Sequence, residues 1–302
     1  MASKRKRILP GFGLTMGYTV TYLSLVVIIP LAGLFWKSAT LTWPELWKSL
    51  TDPFLISSLK VTFGLSLVAA ILNVIFGFIT AWTLVRHRFW GHRIVDGLID
   101  LPFALPTAVS GITLATLYAN NGWLGQLWTP VHPVINGFLS KTGVASLLAF
   151  CHLPNQVPAQ IAYSQLGMLI ALIFIGLPFI VRTLEPALED LDHEVEEAAE
   201  SLGATAFQSF WRVIVPALVP AILTGFALSF ARAVGEYGSV IFISNNKPGE
   251  SQITAHLIMK KLENNDYAGA TTLGAIMLVI SLLMLIAINT LQWWATRRSK
   301  AV

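Results

Sequence analysis

Six stretches of this chain run for sixteen residues or more without a charged side chain: Leu14 to Trp36, Val61 to Val85, Leu101 to Ala119, Leu166 to Val181, Val213 to Ala231 and Thr272 to Trp294. A helix rises about 1.5 Å per residue, so roughly 20 apolar residues cross the roughly 30 Å hydrocarbon core of a bilayer. Composition agrees: 55% of the 302 residues are apolar and only 12% are charged, with a mean hydropathy of +0.66. A soluble domain carries about twice that share of charge. The sequence therefore predicts an all-α, polytopic membrane bundle of about six transmembrane helices. Pro102 and Pro106 interrupt the third stretch and the fourth is the shortest, so their limits are the least defined. Trp36, Trp82, Trp90, Trp123, Trp211, Trp293 and Trp294 lie near the ends of the runs, where indole rings settle at headgroup level.

Six spans place both termini on one side, and the distribution of Lys and Arg chooses which. With the N-terminus inside, twelve fall on the cytoplasmic side and seven outside, with Arg232 in or near the membrane. Residues 1–13 and 296–302 then read as cytoplasmic tails, 14–295 as the membrane domain and 120–165 as an external loop. Within that loop the apolar piece Thr142 to Phe150 is too short to cross and reads as an interfacial or re-entrant element. Lys4 to Arg7 precede a 29-residue uncharged run, Ile8 to Trp36, without a small-x-small end. A retained first helix is expected there, not a cleaved signal. The formal charge of +4 comes from residues at membrane boundaries, not from a nucleic-acid recognition face. The single cysteine, Cys151, cannot form an intrachain disulfide, and no Cys/His cluster has metal-site spacing.

Half of the acidic residues, eight of sixteen, lie between Glu185 and Glu200, in a water-facing segment between two apolar runs. Leu188, Leu191, Val195, Ala198 and Leu202 recur at steps of three and four and predict one packing stripe on a helix. Gly203 follows as a helix-ending glycine, and Thr205 to Gln208 has the Thr-x-x-Gln pattern of a capping box opening a second helix. So many carboxylates repel phosphate, which excludes a DNA-binding helix-turn-helix. His193-Glu194 has Glu197 where a zinc-protease motif needs its second His. A solvated amphipathic connector is the plainer alternative. The spacing Glu197-Ala198-Ala199, three residues, Gly203, nine residues, Val213-Ile214-Val215-Pro216 resembles the loop by which ABC importer permeases engage their ATPase. Val213 and Val215 replace that pattern's Ile and Leu, keeping an apolar contact. The resemblance implies that Glu197, Ala198, Ala199, Gly203, Ala204 and Pro216 belong to the ATPase-coupling element, within a loop of about 185–216.

Three further stretches, 101–112, 176–186 and 232–243, resemble the sulfate/thiosulfate permease subfamily, and within it the first of two nonidentical permease subunits. What that implies is a type I importer fold in a bacterial-type inner membrane, working with a second permease subunit, a cytoplasmic ABC ATPase dimer and an external sulfate-binding protein. No Gly-x-x-x-x-Gly-Lys-Ser/Thr phosphate loop occurs, so no cofactor is expected in this chain and ATP with magnesium belongs on the partner ATPase. The expected role is transport by alternating access, not enzymatic catalysis.

For the pathway the candidates are Pro106, Thr107, Ser110, Arg232, Gly235 and Glu236. Arg232 and Glu236 stand four apart, close enough to pair on a helix, and ionisable groups at membrane depth are functional suspects; a structural ion pair explains them equally well. An unbroken helix from Pro216 to Ile243 would be about 42 Å long, so Gly235 and Gly238 are expected break points. Lys60, Thr107 and Ser110 could solvate an oxyanion, or fill ordinary boundary and packing roles. Two rival functions stay open: a molybdate or tungstate ABC permease, and an ion-coupled secondary anion carrier using Asp96 and Asp100.

Overall fold

A computed structural model describes residues 12–38, 42–87, 89–142, 158–191 and 193–299. The basic residues 4–7, Cys151 and residues 143–150 of the apolar loop piece lie outside the described residues. In chain order the helices are α1 Phe12–Ser38, α2 Trp43–Leu50, α3 Pro53–Arg86, α4 His92–Ile99, α5 Leu101–Ala104, α6 Thr107–Tyr118, α7 Trp123–Trp128 and α8 His132–Thr142. They continue as α9 Gln165–Glu189, α10 His193–Ser201, α11 Ala206–Ser209, α12 Val215–Val234, α13 Gly238–Ile243, α14 Thr254–Glu263 and α15 Tyr267–Ser299. No strand occurs among the described residues.

Five helical segments are long and apolar enough to cross a membrane: Phe12–Lys37, Pro53–Arg86, Gln165–Glu189, Ala206–Val234 and Tyr267–Trp293. The sixth expected run is delivered in two pieces. Leu105 is extended and Pro106, which has no N–H to donate, stands at the N-cap of α6, so the stretch breaks into α5 and α6 where the prolines predict trouble. The long helices overrun their uncharged runs at one end or both. α3 begins eight residues before Val61, with Asp52 Oδ1 accepting from Phe54 N at 2.9 Å and Pro53 in the first turn; it continues through Lys60, which stays on an exposed face. α9 runs past Val181 to Glu189 and carries Arg182 and Glu185 beyond the apolar stretch.

The bundle is organised around α3 and α9. Along α3 the residues Ser58, Thr62, Ser66, Ala69, Asn73, Gly77 and Ala81 are buried. They are small, and their steps of three and four line one face, which lets α9 and α12 approach closely. A Cβ on Gly77 would come within 2.6 Å of the Ile180 side chain, and one on Gly176 within 2.3 Å of Asn73 Nδ2. Two cores result, one around Leu65, Met168, Leu172 and Val240, the other around Leu84, Ile180, Leu184 and Leu218.

Sequence periodicity gave no helix over 123–141, yet α7 and α8 form there. Pro133 sits in the first turn of α8, where a missing N–H costs nothing, and Trp128 Nε1 donates to Pro158 O at 3.0 Å. α14 is likewise new, amphipathic and polar enough to escape a search for uncharged runs. Beyond it Asp266 opens α15: its carboxylate accepts from Gly269 N at 2.8 Å and pairs with Lys261 at 2.9 Å. The Lys261 hydrogen bond, then the backbone donor, hold that carboxyl below its usual range.

Candidate functional site

The acidic segment folds as the helix pair its residues predict. Gly203 adopts φ +84°, Gly203 N donates to Glu200 O at 2.9 Å and Ala204 N to Ala199 O at 3.0 Å. These two bonds close a Schellman turn, which needs a residue tolerant of left-handed backbone at its centre. The capping box is complete: Thr205 Oγ1 accepts from Gln208 N at 3.3 Å and Gln208 Oε1 from Thr205 N at 3.0 Å. Ala199 and Ala204 therefore have a backbone role in the turn, while Glu197, Ala198 and Pro216 face outward.

The predicted packing stripe is corrected. α9 ends at Glu189 and α10 starts at His193, so Leu188 and Val195 belong to different helices. Leu188 is buried, but Val195 is 46% and Leu202 89% exposed. Phe207 and Trp211 join them on the outside. Glu196 turns inward and pairs with Arg86 at the end of α3, and the Arg86 guanidinium lies 5.4 Å from the centre of the Trp82 ring. Phe210 meets Phe78 and Trp82 edge-on at 5.8 Å each. The hairpin is thus tied to α3, a link that only the three-dimensional arrangement reveals.

Its second helix runs on into the membrane. α11, a wide π-helical turn Phe210–Ile214 and α12 form one continuous rod. Val215 N reaches back five residues to Phe210 O. Pro216 explains the widening, because its ring excludes the carbonyl four residues earlier and it donates nothing.

At the far end of α12 the chain breaks as its length requires: the helix stops at Val234 and α13 starts at Gly238. Gly235 caps with ordinary φ −83°, so no left-handed turn is involved. Gly238 matters for close approach, since a Cβ there would lie 2.3 Å from Thr107 Oγ1. Gly111 does the same across the contact, 2.4 Å from Ser239 O, and α6 packs backbone to backbone on the break.

That contact brings some of the pathway candidates together. Pro106, Thr107 and Arg232 line one recess of about 470 Å³ with Phe103, Ile175 and Phe179. Arg232 Nη2 pairs with Glu236 Oε2 at 3.1 Å. Glu236 is buried behind it, its Oε1 accepting from Ser239 N and Ser239 Oγ at 3.1 Å each. Ser110 is buried, with Oγ directed to Pro106 O at 3.4 Å, and Gly235 lines a separate apolar groove with Phe230 and Met277; neither is among the residues lining the recess. Lys60 is not among them either.

Asp96 and Asp100 have a partner that sequence reasoning missed. Arg182 pairs with both, at 2.8 and 2.6 Å, and with Glu185 at 2.8 Å. The partners are more than eighty residues apart, so no local spacing signals the cluster. No group of three or more His, Cys, Asp or Glu with metal-site geometry exists among the described residues.

Comparison with known proteins agrees with this architecture. The family described as "Binding-protein-dependent transport system inner membrane component" matches residues 73–300. The "Sulfate transport system permease protein CysT" of Synechocystis sp. is 47% identical over 279 residues, 92% of this chain and 88% of that protein. Its namesake from Escherichia coli is 40% identical over 291 residues, 96% of each chain. Both are named as transport permeases, not as enzymes. Among solved structures, a bacterial ABC transporter for import of the polysaccharide alginate superposes with a TM-score of 0.68 at 15% identity, covering 93% of this chain and 94% of its own. The MetNI methionine ABC transporter in an inward-facing conformation gives 0.54 at 15% identity, covering 84% and 99%. By family match and by relatives across nearly its whole length, the chain belongs to the binding-protein-dependent transport system inner membrane components.

Proposed function

We propose that this chain is the membrane-spanning permease subunit of an ATP-driven sulfate importer, paired with a second permease and energised by a separate cytoplasmic ATPase dimer that binds ATP and magnesium. An external binding protein delivers the anion. The observation that carries the reading is the hairpin: an exposed acidic and apolar knob whose second helix is the same rod as a membrane span. Force applied at Phe207 has no joint to dissipate in before it reaches α12, and the Arg86 to Glu196 pair carries it to α3. Two-state rocking of such rods between outward and inward openings is alternating access.

Sulfate is supported by the relatives' names, and the knob's location supports a cytoplasmic hairpin with both termini inside. An ion-coupled carrier is disfavoured because Asp96 and Asp100, its candidate coupling pair, are already engaged in salt bridges with Arg182. The deciding experiment reconstitutes this chain with its second permease, ATPase and binding protein in vesicles and follows labelled sulfate. Uptake should require ATP, survive a proton uncoupler and resist excess molybdate. Uptake without the ATPase, or displacement of sulfate by equimolar molybdate, would sink the assignment.

A further inference from the structure

The recess beside the broken third span contains one charge. Among the described residues Arg232 is the single ionisable side chain in its lining, otherwise made of Phe103, Phe179, prolines and other apolar groups with Thr107. We propose that Arg232 contacts the passing oxyanion inside the membrane, and that Glu236 behind it keeps that contact weak enough for release. This rests on the chain being an oxyanion permease and names the residues that handle the anion.

Three observations support it. The ion pair is oriented: the Arg232 side chain is 37% exposed, the Glu236 side chain 1%, so the positive end of the pair points into the recess and the negative end into protein. The guanidinium has five N–H donors in a planar fork, and the Glu236 pair is the one ion pair or hydrogen bond it makes among the described residues. Its outer edge is left for a ligand. Glu236 is fixed independently of Arg232, because its other oxygen holds the Ser239 backbone and hydroxyl and Gly111 presses on Ser239 from behind. The carboxylate cannot swing aside when an anion arrives.

The physical reason for such an arrangement is speed. A lone guanidinium in a low-dielectric recess attracts a dianion strongly and holds it. A transport site has to bind well enough to admit and weakly enough to discharge. A fixed carboxylate four residues on, in the break between α12 and α13, repels the same dianion at slightly longer range and flattens the well. Thr107, held against Gly238, adds a neutral hydroxyl donor without deepening it much.

The test uses the assembled permease and ATPase complex in two measurements: labelled sulfate retained at equilibrium in the absence of the binding protein, and ATP-driven uptake in vesicles with it. Arg232→Gln should lower both, uptake by roughly tenfold or more. Glu236→Gln keeps an oxygen for Ser239 while removing the opposing charge; it should raise sulfate affinity by roughly tenfold and slow uptake. A pair that merely fastens the helix break predicts no gain in retention, and unchanged or reduced affinity in Glu236→Gln overturns the proposal. Should that variant fail to assemble, Arg232→Lys decides: it keeps the charge and is expected to retain uptake that Arg232→Gln loses, whereas equal uptake in the two overturns the role. If wild type moves molybdate in place of sulfate, the substrate reading falls, and the same measurements with labelled molybdate still judge the pair.

Discussion

Single glycines in this bundle fall into two physical kinds, and they predict different mutants. Gly111 is a matter of space, since a Cβ would meet the Ser239 backbone at 2.4 to 2.6 Å and backbone cannot rotate away as a side chain does. Gly111→Val should force α6 off α13, at a cost of about 3 kcal/mol or more, visible as a lower thermal midpoint of the purified complex and lost uptake. Gly235→Ala is the control. Its Cβ would find nothing nearer than 3.6 Å at ordinary helical φ, so the midpoint should hold. Gly203 is a matter of backbone, having nothing within 4 Å and φ +84°. Gly203→Ala should cost about 1 kcal/mol through the left-handed conformation alone, with Gly203→Asn recovering part of it. Thermal midpoints of the three proteins measured side by side check the order.

Among elements, the hairpin α10 to α11 holds large apolar side chains out of its own packing, with Leu202 at 89% and Phe207 at 72% exposed. Replacing either with Asp removes little from this chain's own packing, for Phe207 an edge contact with Trp211 at 6.2 Å. The expected outcome is unchanged stability of the isolated permease and ATPase affinity lowered about tenfold, since a hydrophobic anchor is worth about 1.4 kcal/mol or more; a pull-down titration measures it. Phe210→Ala should do the reverse. It empties the edge contacts to Phe78 and Trp82, worth roughly 1 kcal/mol beyond area, so the ATPase still docks but hydrolysis proceeds with less transport per ATP. Much of this hairpin was legible because a Schellman turn and a capping box are local: each is written in four or five adjacent residues. The end of α9 at Glu189 was not, because Leu188, Leu191, Val195, Ala198 and Leu202 keep helical spacing straight past it. Arg86 as the partner of Glu196 was not legible either, lying over a hundred positions away.

For the whole molecule, side of the bilayer is the property on which most depends. In a Cys151→Ser background, Glu200→Cys should react with an impermeant thiol reagent only from the cytoplasmic face, and Asn246→Cys only from the outer face; the opposite pattern would invert every assignment of partner to surface. The bundle itself was readable from hydropathy, since lipid demands long uncharged runs and five of the six appear as long helices. The third escaped because two prolines cut it, and the same cut opens the recess in which Arg232 lies. Arg182 shows the limit of counting charges for topology: one of the positives that the count assigns to the cytoplasm is a clamp on Asp96, Asp100 and Glu185, fastening α4 and α5 to α9. The wide turn at Phe210–Ile214 also sets an angular phase. It holds one residue more than an α-helical turn, so a single deletion there would close the rod to plain α-helix with the knob's azimuth kept, whereas a deletion within α11 would swing the Gly203 turn by about 100° around the rod axis and pull it in by about 1.5 Å. A nucleotide-driven partner would then meet the wrong azimuth, leaving a permease that folds, inserts and cannot be driven.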